Sequence, residues 1–198
     1  GGYIPPSADD TAAFLAELTC VYCDLLVFLI FFGPRGDEVY LGATNDTHVL
    51  TSNDVIFYQG DAKTRVFAEV SHDEGPNRVD CRWRRTKTGE TITSRMQRAG
   101  CIPAAQARVS RTVSHTSSGD SLCCPVRALV RQTRRNKSLN VAEDFFFWND
   151  PAGKPIPKDD FLVFLRACVE AHCPGADLTT VTGHSTRRGF ATAAFDAG

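Results

Sequence analysis

A mixed α+β fold, mainly helical with one small antiparallel sheet, is the class that three features of the sequence predict. A long apolar pattern at helical spacing fills the N-terminal end, short segments in the middle alternate apolar and polar residues, and two further helical patterns come later. With 198 residues, 42% of them hydrophobic, the chain is long enough to bury a core within a single domain.

Residues 1 to 8, with Pro5 and Pro6, are a lead-in, and Ser7, Asp9 and Asp10 offer an N-cap. Phe14, Leu15, Leu18, Val21, Tyr22, Leu25, Leu26, Phe28, Leu29 and Phe32 then recur at three- and four-residue steps, a helix entering a core, which Gly33 and Pro34 stop. Arg35 to Leu41 can form a short helical turn. Val55 to Tyr58 reads as a first strand, Val66 to Val70 and Val79 to Arg85 as further strands, and Glu90 to Ser94 as a weaker one, with Thr86 to Gly89 as a hairpin. Residues 99 to 120 have no firm periodicity and read as a loop that includes His115; His48 and His72 also sit in loop-like segments. Pro125 opens a helix to about Lys137, since a proline at the first helical position has no N–H to lose. On it Val126, Leu129 and Val130 are expected to face inward and Arg127, Arg131, Arg134 and Arg135 outward. Phe145 to Trp148 is a short apolar run before a turn. Another helix runs from about Pro157 to Ala171, and a last one begins near His184.

Composition narrows the function. No secretory signal opens the chain. The most apolar run, Leu25 to Phe32, is too short for a bilayer span of about 20 residues. The eight cysteines are scattered through long patterned segments, which favours free thiols in a reducing compartment over a disulfide scaffold. A net charge of −1 conceals a strong asymmetry. Residues 1 to 77 carry three Lys/Arg against twelve Asp/Glu, residues 78 to 137 fourteen against three, and residues 138 to 198 five against eight. A basic centre rich in arginine is the pattern expected where guanidinium forks neutralise phosphates. Arg82, Arg84, Arg85, Arg131, Arg134 and Arg135 are the candidate DNA contacts.

The sharpest local signal is Thr182-Gly183-His184-Ser185-Thr186-Arg187-Arg188-Gly189-Phe190-Ala191-Thr192. On a helix, His184 and Arg187 are three apart and share a face, so both can approach one phosphate near a helix N-terminus. An ordinary amphipathic helix with a polar start explains the spacing equally well. This pattern resembles the second conserved box of the tyrosine recombinases, the phage-integrase-like enzymes. Phe32-Gly33-Pro34-Arg35-Gly36-Asp37-Glu38 is similar to the family's earlier arginine box, with Phe32 where the family has threonine. Leu122-Cys123-Cys124-Pro125-Val126-Arg127-Ala128-Leu129 is similar to a segment of recombinases from eukaryotic DIRS-like and Crypton-like mobile elements.

The resemblance implies that a tyrosine attacks a DNA phosphodiester, forming a 3′-phosphotyrosyl link. Arg35 and Arg187 would stabilise the charge that grows on the phosphate oxygens. His184 would hydrogen-bond the phosphate, Lys87 would protonate the leaving oxygen, and Glu38 would support Arg35; Lys63 is the weaker lysine candidate. No cofactor or metal is implied. The family places its nucleophile beyond the second box, and Tyr3, Tyr22, Tyr40 and Tyr58 all lie upstream of it, so the chain reads as a truncated catalytic domain, cut at both ends and inactive alone. Its implied partners are double-stranded DNA and, in the full-length protein, further copies of itself on that DNA. A membrane is not among them. The implied location is nuclear for a eukaryotic mobile element and cytoplasmic otherwise, without secretion.

Three other readings compete. One is a non-catalytic DNA-binding module or decayed mobile-element remnant. Another is a metal site on Cys20 and Cys23, or on Cys168, His172 and Cys173, although Cys20 and Cys23 are expected to be buried free thiols inside an apolar helix. The last is a Ser or Cys hydrolase, for which no G-x-S-x-G elbow exists.

Overall fold

Ser7 starts the first helix, as its place ahead of Asp9 and Asp10 predicts. Its hydroxyl accepts from the Asp10 N–H at 3.1 Å, while the Asp10 carboxylate accepts from the Ser7 N–H at 3.2 Å, a reciprocal capping box. Helix α1 (Ala8–Phe32) then runs 25 residues to Gly33, which takes φ 55° and donates its N–H to the Leu29 carbonyl at 3.2 Å. Only a residue without Cβ adopts that left-handed cap freely. The computed structural model describes residues 7–34, 38–40, 49–65, 75–83, 111–117, 122–186 and 188.

A four-stranded antiparallel sheet comes next, from β1 (Val55–Gln59), β2 (Ala62–Thr64), β3 (Arg78–Trp83) and β4 (Arg111–Thr116), in the order β2-β1-β3-β4. Gly60, at φ 60°, turns β1 into β2 and sets Tyr58 opposite Lys63. Val55, Phe57, Val79 and Cys81 are buried, and the registers Val55↔Cys81 and Phe57↔Val79 put them on one face. On the other face, the Arg78 guanidinium lies 4.0 Å from the centre of the Tyr58 ring. Helices α2 (Pro125–Ser138) and α3 (Lys158–His172) complete the fold, which is mixed α+β with a small antiparallel sheet.

The core lies between α1, the inner face of the sheet, α2 and α3. Phe28 stacks on Phe32 at 4.9 Å and leans on Trp148 at 5.3 Å, while Tyr22 meets Phe161 edge-on at 5.7 Å. A buried polar network joins α2 to the 146–149 segment. Gln132 donates to Asn136 Oδ1 at 2.9 Å, and Asn136 donates to the Phe147 carbonyl at 2.8 Å. These amides satisfy carbonyls that would otherwise be buried without partners.

Several expectations change. Residues 111–116, expected as loop, form β4, because His115 and its neighbours alternate along an edge that α1 covers. His115 Nε2 donates to the Phe31 carbonyl at 2.8 Å, and its ring meets Phe32 edge-on at 4.6 Å. The expected strands at 66–70 and 90–94 and the hairpin at 86–89 lie outside the described residues, and β2 has no counterpart among the expected strands. Cys20 and Cys23 are exposed rather than buried, since the buried face of α1 passes through Val21, Tyr22, Asp24 and Leu25. By length and composition alone the whole of α1 is long and apolar enough to cross a membrane, whereas its eight-residue apolar run is too short. One of its faces packs on α2 and carries a buried Asp24, held by Arg131.

Burial holds the His115 pKa below its ordinary value of 6.5, against the opposing effect of the Phe31 hydrogen bond. The unfolded chain therefore binds a proton more readily than the folded one, so the contribution from His115 is fully present above about pH 6.5 and is lost as pH falls below it. Melting temperature should drop between pH 6.5 and about 5 more in the native chain than in His115→Gln; parallel curves would assign the acid loss to other groups.

Candidate nucleic-acid interface

The second motif is held by α3. Arg166 donates to the Val181 carbonyl from Nε at 3.3 Å and from an Nη at 3.2 Å, which fixes the approach to Thr182. Ser185 Oγ accepts the Thr182 N–H at 2.9 Å, and Thr182 Oγ1 accepts the His184 N–H at 3.3 Å. Residues 185, 186 and 188 are helical, one residue later than expected. His184 sits just ahead of that helix, exposed, and its carbonyl accepts the Arg188 N–H at 3.0 Å. It thus occupies the capping position, where its ring is free of the helical ladder.

Lys158, from the first turn of α3, lies across Gly183. A Cβ at Gly183 would stand 2.9 Å from Lys158 Cε and 3.6 Å from its amine. The amine is therefore brought beside Gly183, a cation that sequence reading missed because nothing in its local pattern joins Lys158 to a motif about 25 residues on. Gly183→Ala is expected to cost less than about 1 kcal/mol, because a flexible lysine can swing away. In a Lys158→Ala background that cost should vanish, a double-mutant cycle read by urea denaturation; an unchanged cost would locate the strain in the backbone instead.

Of the first motif, Phe32, Gly33, Pro34 and Glu38 are among the described residues. Glu38 is 2% exposed, and its carbonyl accepts the Leu50 N–H at 2.9 Å. Tyr40 lies 5.7 Å from Phe161, the residue one turn after Lys158 on α3. Helix α3 therefore holds both the chain that leaves the first motif, through Phe161, and the chain that enters the second, through Arg166 and Lys158. Leu26 and Ile30 of α1, a few residues ahead of the first motif, share a groove with Ser185 and Thr186. Arg35, Lys87, Arg187, Arg84 and Arg85 lie outside the described residues.

No family model, curated protein or solved structure matches this chain.

Two of the arginines assigned to DNA point elsewhere. Arg131 grips Asp24 with Nε at 2.9 and 3.1 Å from its two oxygens. Arg135 reaches Glu17 at 3.4 Å and Asp24 at 4.0 Å, and its side chain is only 10% exposed. The expectation that both face outward is corrected: an aspartate in the buried face of α1 draws the guanidinium groups of α2 inward. Burial opposes the Arg131 charge, but the hydrogen bonds and charge of Asp24 outweigh it and raise its pKa. Arg82 and Arg134 are half-buried and remain the described candidates for phosphate contact.

Among the described residues, Tyr22 and Tyr40 are core groups and Tyr58 is buried on the other face of the sheet against Arg78. Tyr22, Tyr40 and Tyr58 are 8%, 4% and 7% exposed. Burial raises the Tyr40 pKa far above its ordinary value, and raises that of Tyr22 together with the charges of Asp160 and Asp150. Neither hydroxyl is placed or poised to attack a phosphate. Tyr3 lies outside the described residues. No group of three or more His, Cys, Asp or Glu side chains suited to a metal occurs among the described residues.

Proposed function

We propose that this chain binds duplex DNA as part of a tyrosine-recombinase-like catalytic domain, with Arg35, His184 and Arg187 gripping one backbone phosphate. The observation that supports the reading is the anchoring of both motif-bearing segments on α3, by Tyr40 on Phe161 and by Arg166 and Lys158 on residues 181 to 183. In this reading the paired guanidinium groups stabilise the extra negative charge of a pentacoordinate phosphorus transition state more than the charge of the ground state. His184 hydrogen-bonds a non-bridging oxygen, and Lys87 protonates the leaving 5′-oxygen. Glu38, the buried last residue of the first motif, would position Arg35. The attacking tyrosine would come from outside these 198 residues, so the chain alone binds DNA without forming a covalent adduct.

Salt dependence of binding to a short duplex tests the shared phosphate. The logarithm of the binding constant falls with that of salt concentration by roughly 0.9 per phosphate neutralised. Replacing both Arg35 and Arg187 with alanine should reduce that slope by about one, because both act on a single phosphate. A reduction near two would put them on separate phosphates, and an unchanged slope would remove them from the DNA altogether; either result rejects the reading. A covalent protein–DNA adduct formed by this chain would reject its inactivity.

A further inference from the structure

A separate cleft, of about 580 Å³ and of mixed polar and apolar lining, opens between the sheet edge at β2 and the C-terminal end of α2. None of the residues lining it belongs to α1, α3 or either motif, and of them only Lys63 was weighed, as the weaker lysine, for the DNA site. We propose that it binds a nucleotide-sized organic phosphate. Lys63 lines it from the edge strand, Arg65 from just past that strand and Lys137 from the last turn of α2, against a single carboxylate, Glu143. Val55 and Val141 give it an apolar wall. The hydroxyl of Thr133, another lining residue, is buried and has no hydrogen-bond partner among the described residues.

The volume falls within the roughly 300–1,000 Å³ of small-molecule sites. The mixture of lining groups narrows the ligand class. Three cations select an anion with more than one charge, and arginine and lysine together suit phosphate oxygens. The valines favour a ligand with an apolar or ring-shaped body rather than a bare ion, and Glu143 can accept from its hydroxyl or amino groups. A recess of this size takes a single compact body, whereas the backbone of a duplex is read along an extended surface.

The experiment uses the 198-residue chain with ADP and inorganic tripolyphosphate as probes, at ionic strength held constant with potassium chloride. ADP at several millimolar should raise the melting temperature by about 2 °C or more, and more than tripolyphosphate does. Lys63→Ser with Arg65→Ser should remove most of that rise while leaving the ligand-free melting temperature within about 1 °C, because both side chains are exposed. Glu143→Gln should change ADP affinity by less than Lys63→Ser with Arg65→Ser does, because the two cations carry the phosphate contact. No rise with ADP, an equal rise in the double variant, or a rise reproduced by potassium chloride alone would overturn the proposal. So would a twelve-base-pair duplex that binds Lys63 and Arg65 while ADP does not, since the cleft would then be a DNA surface.

Discussion

Replacing Arg131 with methionine is expected to destabilise the fold by about 3 kcal/mol, the low end of the roughly 3–5 kcal/mol cost of breaking a buried ion pair. Asp24 has a side chain only 4% exposed, in the face of α1 that packs on α2, and Arg131 is its closest cation. Without Arg131 the carboxylate must either take up a proton or remain charged in an apolar contact. Two features hold the cost down: the Arg131 side chain keeps 28% of its exposure, and Arg135 remains 4.0 Å from Asp24. Combining Asp24→Leu with Arg131→Met should recover most of the loss, because a matched apolar pair avoids the desolvation penalty that the ions incur. Urea denaturation of the two single variants and the double variant measures the coupling. A loss below about 1 kcal/mol in Arg131→Met would mean that the pair behaves like a surface bridge.

Phe161→Ala should cost about 3–5 kcal/mol, the range for removing a large aromatic from a packed interior. Phe161 is 1% exposed and joins three elements: Tyr22 of α1 at 5.7 Å, Tyr40 after the first motif at 5.7 Å and Phe164 of its own helix at 6.1 Å. Removing the ring frees the 38–40 segment from α3, so the damage should spread beyond the loss of buried area. Hydrogen exchange reads this directly. The Leu50 amide, bonded to the Glu38 carbonyl, should lose protection by more than the global destabilisation explains. If Leu50 loses only what every core amide loses, the 38–40 segment is held by something other than the Phe161 ring.

What could be read locally was the type of most elements and the position of their ends. Ser7 with Asp10, Gly33 with Pro34, and Pro125 each act through their own backbone or their nearest neighbours, and helices α1, α2 and α3 start and stop close to where the local sequence puts them. The two motifs of the proposed site were read in the same way, as short strings of residue types at fixed spacing. Strand β4 was not, because Arg-Thr-Val-Ser-His-Thr is too polar to signal a strand, and it forms one by pairing along β3 at the sheet edge, with His115 set against Phe31 and Phe32. Arg131 and Arg135 were misread for a related cause. Helical spacing alone set them on the outer face of α2, but Asp24, 107 residues before Arg131, turns them inward. Lys158 came beside Gly183, and Tyr40 against Phe161, through folding of distant segments onto α3. Caps, turns and periodicity act over one or two turns of chain and so are written in the local sequence. Ion pairs, ring contacts and the companions of a functional side chain depend on which distant surfaces meet, and that is fixed by packing of the whole core.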